Sequence, residues 1–254
     1  MTSASVERAT AAAVEWLRGE DVPEAAIVAH EAGLAEDDES ARRWIRRLLD
    51  DQDDAGAWGG DLLATTRALD TLRELRAAAS IREQAPGIGR ALDWVRARRG
   101  VPGAWTDGCS EERHHRGLCH HFAGGFFSPG PPEVPLEEAW LHPGVGVSGD
   151  AEVRFVASAA ALRCLLGWEK TTGDARLHLT GLRRVVLQWS EAPMVRLSGT
   201  ALMEAVHALL HSPVDEDRAA ADQGLQTVAG RQRGDGSWVD LDPFHALEVF
   251  GRAA

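Results

Sequence analysis

One stretch of the chain concentrates the side chains that bind transition metals. It reads Cys-Ser-Glu-Glu-Arg-His-His-Arg-Gly-Leu-Cys-His-His and holds two thiols and four imidazoles. Thiolate and imidazole favour zinc, and after it copper or iron. The spacing matches no zinc-finger pattern, so the density of ligands predicts the metal site, and a solvated polar loop is the alternative. The candidate ligands are Cys109, His114, His115, Cys119 and His120.

A second set of ionisable side chains lies in a segment that otherwise has the composition of a buried helix. Glu204 and His207 are three residues apart, so a helix places them on one face. Burying that face is costly unless the side chains line a polar cavity or find hydrogen-bond partners. Two interpretations stay open: a catalytic acid–base pair, or a core pair satisfied by hydrogen bonds.

The elements that position these residues are helices. Apolar residues recur at helical spacing along almost the whole chain, and no segment alternates convincingly as a strand does. We predict about ten helices in five hairpins whose second members are richer in Ala and small apolar residues. Because a helix that is apolar most of the way round is buried, the second members should form an inner layer. The predicted hairpins are 4–18 with 23–34, 39–51 with 61–77, 86–99 with 151–166, 175–191 with 198–211, and 215–231 with 241–252.

One connection is far longer than the others. Residues 100–150 join the third outer helix to its inner partner and contain the Cys/His-rich stretch. Loops of this length inside a compact domain usually carry function, as a lid or as a site. Phe126 and Phe127 lie in a Gly/Pro-rich part of the loop, where we expect them to form an apolar cover that contacts the substrate.

The charge of the chain argues against some classes of partner. Its 39 acidic and 27 basic side chains give a formal net charge of −12. An acidic surface repels nucleic acid and anionic lipid, so we expect neither as a partner. The first residues lack the regions of a signal peptide, and no apolar stretch approaches the length of about 18 residues that predicts a membrane span. Three cysteines argue against a disulfide framework, and a cytoplasmic location fits best.

A short repeated motif is the strongest signal of architecture. Residues 52–58 (Gln-Asp-Asp-Ala-Gly-Ala-Trp) and residues 232–238 (Gln-Arg-Gly-Asp-Gly-Ser-Trp) share Gln, Gly and Trp at the same offsets. Residues 99–105 keep the Gly and the Trp but lack the Gln. Each copy follows an outer helix and precedes an inner one. We expect the Gly to end the helix in a left-handed conformation and the Gln and Trp to tie that end to its neighbour.

These segments resemble the QW motifs of squalene-hopene cyclase, of class II terpene cyclases and of protein prenyltransferase β subunits. The resemblance implies an all-α fold, an α/α toroid in which inner helices line a central cavity. Five hairpins are one fewer than that superfamily usually has, so the ring would be small, open or closed by the long loop. We therefore predict a single α/α-toroid domain over residues 1–254, with residues 100–150 inserted between an outer and an inner helix.

The same resemblance implies roles for individual residues. Asp242-Pro-Phe-His245 resembles the Asp-x-x-His at the zinc-ligating histidine of the β subunits, which would make His245 a metal ligand or a catalytic group. Asp150 and Arg154 resemble an Asp-Val-Arg at the matching place, and Arg154 would then bind a diphosphate or carboxylate of the substrate. The family's Asp-x-Cys ligand pair has no match in residues 196–203, so the Cys/His-rich stretch would replace it.

Together these features predict a metal-dependent enzyme, with zinc the expected metal. The resemblance implies an isoprenoid or other small hydrophobic substrate, and cyclisation or group transfer as the reaction. One alternative is a non-catalytic toroid that binds a peptide, a partner subunit or a second copy and holds a structural metal. Another is a metal-free cyclase with Asp242 and His245 as acid and base. The class II cyclase acid motif, Asp-x-Asp-Asp, is absent, which argues against proton-initiated polyene cyclisation.

Overall fold

The computed structural model describes residues 12, 15, 16, 19, 21–31, 38–79, 81, 85–98, 138–142, 145–169, 175–191, 197–238 and 241–253. Most of these residues are helical, which confirms the all-α prediction in its coarse form. Closure into a toroid stays a prediction. The helices are α1 (Pro23–Glu31), α2 (Asp38–Asp50), α3 (Leu62–Ala78), α4 (Pro86–Ala97), α5 (Asp150–Glu169), α6 (Ala175–Glu191), α7 (Gly199–Leu210), α8 (Asp215–Ala229) and α9 (Pro243–Ala253).

A short hairpin is the main departure from the predicted elements. Strands β1 (Glu138–His142) and β2 (Val145–Ser148) pair antiparallel directly before α5. The prediction of no strand was wrong here because the alternation covers only four or five residues, too few to stand out from a loop. The hairpin occupies the end of the predicted 100–150 loop.

The chain divides into two compact units, residues 1–94 and residues 95–254. In the first unit α1 and α2 both pack against α3. The face of α3 that receives them is apolar, with Leu62, Leu69 and Leu72 fully buried. The helix begins where the carboxylate of Asp61 accepts a hydrogen bond from the backbone N–H of Ala64 at 2.7 Å. The prediction of a single domain over residues 1–254 stays a prediction.

The second unit has two helical layers. One contains α5, α7 and α9, with α7 between the other two, and the other contains α6 and α8. Every residue of α7 from Thr200 to Leu209 is buried, as expected for an inner helix. Gly224 lets α8 approach closely, because a Cβ there would lie 2.7 Å from Val206 and 2.9 Å from Val186. This packing fixes α7 on both sides, so its side chains are held rigidly.

The two complete Gln–Gly–Trp copies form the same turn. In the first, Nε2 of Gln52 donates to the carbonyl of Gly56 at 3.0 Å, and the indole N–H of Trp58 donates to the carbonyl of Leu48 at 2.8 Å. In the second, Gln232 donates to Gly236 at 2.9 Å and Trp238 to Val228 at 2.9 Å. The offsets in sequence are identical, so the repeat is structural.

The repeated turn differs in two details from what the sequence predicted. Gly56 has a φ of 96°, as expected of a left-handed residue, but it lies in the turn beyond the end of α2 rather than at the helix end itself. Trp58 binds the last turn of its own preceding helix, not a neighbouring one. The side chain that reaches a neighbour is Gln52, whose Nε2 also donates to the carbonyl of Gly87 in α4 at 2.9 Å. The third copy, residues 99–105, lies outside the described residues.

Within the described part of the chain, no helix combines the length and the apolar character needed to cross a bilayer.

Candidate functional site

A cluster of ionisable side chains lies within the α5–α7–α9 layer. We call it the His207 cluster. Its central members are buried, with side-chain exposures of 5% for Glu204, 2% for His207 and 4% for His245. A packed helical layer rarely holds so many polar groups, because each buried one has to be compensated. The cluster consists of Arg163 on α5, of Glu204, His207 and the C-cap residue His211 on and after α7, and of His245, Glu248 and Arg252 on α9.

Hydrogen bonds at the helix starts hold the three helices in place. Ser198 caps α7, its hydroxyl accepting from the N–H of Ala201 at 3.1 Å. The hydroxyl and backbone N–H of Ser198 both donate to the carboxylate of Glu152, in the first turn of α5. Asp242 caps α9 by accepting from the N–H of His245 at 3.0 Å. The contacts of Ser198 with Glu152 join the starts of α5 and α7, and the cap at Asp242 fixes where α9 begins.

Arg163 joins the two buried groups of α7. Its Nη1 donates to Oε2 of Glu204 at 3.1 Å and to Oε1 at 3.4 Å. The same nitrogen lies 3.1 Å from Nδ1 of His207. The guanidinium therefore neutralises Glu204 and contacts His207 at the same time. An unpaired carboxylate at this depth would be strongly destabilising, so Arg163 compensates the burial of Glu204.

Two contacts set the register between α7 and α9. Nε2 of His245 lies 3.3 Å from Oε1 of Glu204, and Nε2 of His207 lies 4.0 Å from Oε1 of Glu248. His207 follows Glu204 by three residues on α7, and its partner Glu248 follows His245 by three residues on α9. The two helices therefore run in the same direction. The rings of His207 and His245 have centroids 5.8 Å apart, and that of His211 stacks on His207 at 5.4 Å.

His207 is held neutral by its surroundings. Burial lowers the pKa of its imidazole well below the ordinary value of 6.5, and the charge of Arg163 lowers this pKa further. His245, His211 and Arg252 contribute in the same direction. A histidine in this setting is a neutral imidazole at neutral pH. It can donate a proton in a hydrogen bond without carrying a charge.

The contact with Arg163 decides which nitrogen of His207 carries the proton. A guanidinium nitrogen has only donors, so Nδ1 of His207 must accept. The neutral ring then carries its hydrogen on Nε2. That N–H is buried and has no hydrogen-bond partner among the described residues, since Glu248 at 4.0 Å is too distant. His207 therefore presents an unused donor.

His245 presents the complementary group. The carboxylate of Glu204 beside its Nε2 favours the tautomer with the proton on that nitrogen, although the alignment is too poor for a hydrogen bond. Nδ1 is then a bare lone pair. It too is buried and has no hydrogen-bond partner in the described part of the chain. The layer thus holds an unused donor and an unused acceptor on adjacent rings.

A metal ion is the other species that such a cluster could hold. Ring nitrogens of His207 and His245 and an oxygen of Glu248 lie within 4.8 Å of one another. Zinc bonds of about 2.1 Å in a tetrahedral site bring ligand atoms to about 3.4 Å apart, so the three would have to contract. His207 would also have to move its proton from Nε2 to Nδ1, where Arg163 now donates. The arrangement fits a metal less well than it fits proton transfer.

The structure brings together three of the residues that the sequence singled out, Glu204, His207 and His245. Asp242 lies at the same helix start but serves as the N-cap, and its role as a catalytic acid stays a prediction. Arg154 lies in α5, and its side chain is outside the described part of the structure. The remaining predicted metal ligands and substrate contacts lie outside the described residues: Cys109, His114, His115, Cys119, His120, Phe126 and Phe127.

The sequence analysis did not identify Arg163, Glu248 or Arg252 as members of the site. Arg163 stands alone in the apolar run of α5, where a single arginine has no motif around it. For Glu248 the sequence does contain a signal, in the spacing of polar residues. The spacing of Glu204, His207 and His211 on α7 recurs as His245, Glu248 and Arg252 on α9, three and then four residues apart. Two inner helices with the same spacing of polar residues indicate that these faces meet.

A cleft in the first unit is a weaker candidate. It has a volume of about 420 Å³ and lies against α1 and α2, where Trp44 and small apolar residues of α1 line it. Asp21 and Arg43 at its edge already pair with each other at 2.8 Å. The chemistry-bearing groups lie in the second unit, and we place the candidate site there.

Comparison of the chain with known protein families, with curated protein sequences and with solved structures finds no match. Membership of the squalene cyclase and prenyltransferase superfamily therefore stays a prediction from the repeated motif and from the residues that resemble its Asp-x-x-His and Asp-Val-Arg segments.

Proposed function

We propose that the chain is an enzyme that moves a proton on a small, largely apolar substrate, with its active centre in the His207 cluster. The observation that carries the proposal is the pair of buried, unused groups, the N–H at Nε2 of His207 and the lone pair at Nδ1 of His245. Leaving such groups without partners costs about 1–3 kcal/mol each. A substrate that pairs with both would recover this cost.

The roles of the residues follow from their contacts. His245 acts as the general base, with Glu204 stabilising the imidazolium that forms. Arg163 pairs with Glu204 and holds His207 in the tautomer that donates from Nε2. His207 polarises the substrate as a neutral donor. Apart from Thr200, the other buried residues of α7 are apolar, which favours a substrate with little charge.

The resemblance to terpene cyclases agrees with a small hydrophobic substrate, and cyclisation is one reaction that proton transfer serves. Isomerisation and elimination are others. The proposed mechanism is a modified form of the metal-free alternative in which Asp242 and His245 are acid and base. His245 keeps the role of base, and His207 with Glu204 takes the place of Asp242.

A zinc-dependent enzyme is the second candidate, favoured by the proximity of His207, His245 and Glu248. The ligands expected from the Cys/His-rich stretch would support it. Equilibrium dialysis against zinc separates the two. The acid–base proposal expects no stoichiometric zinc whose binding depends on His245, whereas the zinc proposal expects one ion per chain that the His245→Gln variant loses.

Solvent exchange tests the acid–base proposal across many compounds at once, so the substrate need not be identified first. An enzyme that removes a proton from carbon catalyses exchange of that proton with D₂O. A library of small ketones, thioesters, alkenes, amines and phosphate esters is incubated in D₂O and followed by NMR. We expect exchange in at least one class, lost in His245→Gln. His30→Gln is the matched control, because His30 is exposed on α1 and outside the cluster. No exchange in any class contradicts the proposal.

A further inference from the structure

The charges around the His207 cluster are already balanced. Arg163 pairs with Glu204 at 3.1 Å, and Arg252 pairs with Glu248 at 3.3 Å. Each cation therefore faces a carboxylate of the protein. Both arginines also act on His207 through their charge. The described residues of the site offer no surplus of positive charge.

This balance of charge favours an uncharged substrate over a diphosphate. A diphosphate carries several negative charges and is bound by clusters of arginine, lysine or metal ions. Here it would lie against the carboxylates of Glu204 and Glu248, and the arginines would have to leave them. Arg163 would then leave Glu204 buried without its cation, which is strongly destabilising, whereas the pair of Glu248 with Arg252 is partly exposed. An uncharged substrate avoids that cost.

The unused N–H of His207 and the unused lone pair of His245 narrow the substrate class further. A ring nitrogen of His207 and one of His245 lie within 4.8 Å of each other. A substrate that reached both rings would accept a hydrogen bond from the N–H of His207 and would lie against the lone pair of His245. A carbonyl oxygen accepts from the donor, and the C–H next to the carbonyl carbon faces the base. Such a proton is acidic only while the carbonyl oxygen is polarised, which is what a donor of this kind supplies.

We infer, on the basis of the proposed function, that the substrate is an uncharged carbonyl compound and that His245 removes the proton from the carbon beside the carbonyl. The C–H bond breaks and an N–H bond forms at Nδ1 of His245. The electron pair of the C–H bond becomes the second bond between the two carbons, and the carbonyl π pair moves to oxygen. The N–H of His207 binds the resulting oxyanion. Return of a proton to the same or to a conjugated carbon completes exchange or isomerisation, with no oxidant or reductant.

Glu248 lies where such a substrate reaches solvent. Its side chain is 49% exposed, whereas His207, only 4.0 Å away, is 2% exposed. The pair of Glu248 with Arg252 is itself partly exposed, so it can open at little cost. We place the access to the site at these two residues.

The test compares charged and uncharged probes on the whole chain. In D₂O at neutral pH, 2-heptanone, cyclohexanone and S-ethyl thiobutanoate are followed by ¹H NMR for loss of the proton next to the carbonyl. Inorganic pyrophosphate and hexanoate are titrated in parallel against the histidine signals of ¹⁵N-labelled protein. We expect exchange with at least one carbonyl probe, reduced at least about 100-fold in His245→Gln, and no effect of pyrophosphate on the signal of His207.

The outcomes separate this inference from the proposed function. Exchange that occurs only with alkenes, amines or phosphate esters overturns the carbonyl assignment and leaves the acid–base function standing. Saturable binding of pyrophosphate at His207 overturns the assignment of an uncharged substrate. No exchange with any compound overturns both. The His207→Gln variant adds a readout specific to the oxyanion, because it should slow exchange while leaving the fold and the base intact.

Discussion

Nη1 of Arg163 lies 3.1 Å from Nδ1 of His207 and 3.1 Å from Oε2 of Glu204, so a single nitrogen joins the two polar groups of α7. This relationship has two consequences. It pairs a buried carboxylate with a cation, and it places the proton of His207 on the nitrogen that faces away from Arg163. The proposed active centre depends on both.

The first prediction concerns the energetic coupling of Arg163 and Glu204. Replacing Arg163 by Met leaves Glu204 buried and unpaired, which should lower the free energy of unfolding by about 3–5 kcal/mol. The double variant Arg163→Met, Glu204→Met removes both charges and should regain much of that loss. Urea denaturation of the two single variants and the double variant measures the coupling. Strict additivity of the two single effects would show that the pair does not interact.

The second prediction is a pH dependence due to His207. The pKa of His207 is lowered in the folded chain from its ordinary value of 6.5. Just below pH 6.5 this histidine is therefore protonated in the unfolded chain but still neutral in the folded chain. Stability is therefore fully present above pH 6.5 and falls as the pH decreases towards the folded-state pKa. The slope reaches about 1.4 kcal/mol per pH unit in that window.

His207→Gln isolates this effect, because it removes one titrating group and leaves the other histidines and carboxylates in place. Urea midpoints of the parent chain and the variant should differ by a constant amount above the ordinary histidine pKa and should converge below it. Arg163, Glu204, His211, His245, Glu248 and Arg252 face His207 and are present in both proteins. If the difference in urea midpoint between the parent chain and His207→Gln did not change with pH, the neutral state of His207 would be contradicted.

The third prediction uses the two repeated turns as a matched pair. Gly56 and Gly236 have φ values of 96° and 86°, so Ala at either position is strained by roughly 1–2 kcal/mol. At Gly56 a Cβ would also lie 2.8 Å from the backbone of Arg90, whereas at Gly236 the nearest atom is 4.0 Å away. Gly56→Ala should therefore cost at least about 1 kcal/mol more than Gly236→Ala in thermal or chemical unfolding. Equal costs would indicate that α4 does not pack against the first turn.

The fourth prediction concerns the indoles of the same turns. Trp58→Phe and Trp238→Phe each remove one N–H that satisfies a helix-end carbonyl, of Leu48 and of Val228. Each substitution should reduce stability by about 1 kcal/mol, and the two should be alike because the geometry is repeated. Chemical denaturation of the two variants tests this. An effect confined to one turn would mean that the shared motif serves different purposes in the two places.

Sequence was sufficient for the helices because their apolar spacing and their ends are local properties. α6 begins and ends where the pattern places it, and the other described helices differ by a few residues. The hairpin of β1 and β2 was missed because four or five residues carry too little periodicity. The closure of the helices into a ring is a long-range property that no local pattern decides.

The site was predicted only in part, because some of its residues have a local signal in the sequence and others do not. Glu204 and His207 stand out because two polar residues share one face of an apolar helix, and His245 stands out through its motif. Arg163 has no local signal, since its partners lie 41 and 44 positions later in the chain. The tautomer of His207 follows only once that contact is known. Chemistry that depends on a pairing between distant helices has to be taken from the structure.

The most direct test is the protonation of His207 at neutral pH. A long-range ¹H–¹⁵N correlation spectrum of histidine-labelled protein distinguishes the two neutral tautomers from the imidazolium, and His207→Gln assigns the signal. We predict a neutral ring with its proton on Nε2, a preference that Arg163→Met should weaken. A ring protonated on Nδ1 alone, or one doubly protonated, would contradict the proposed active centre.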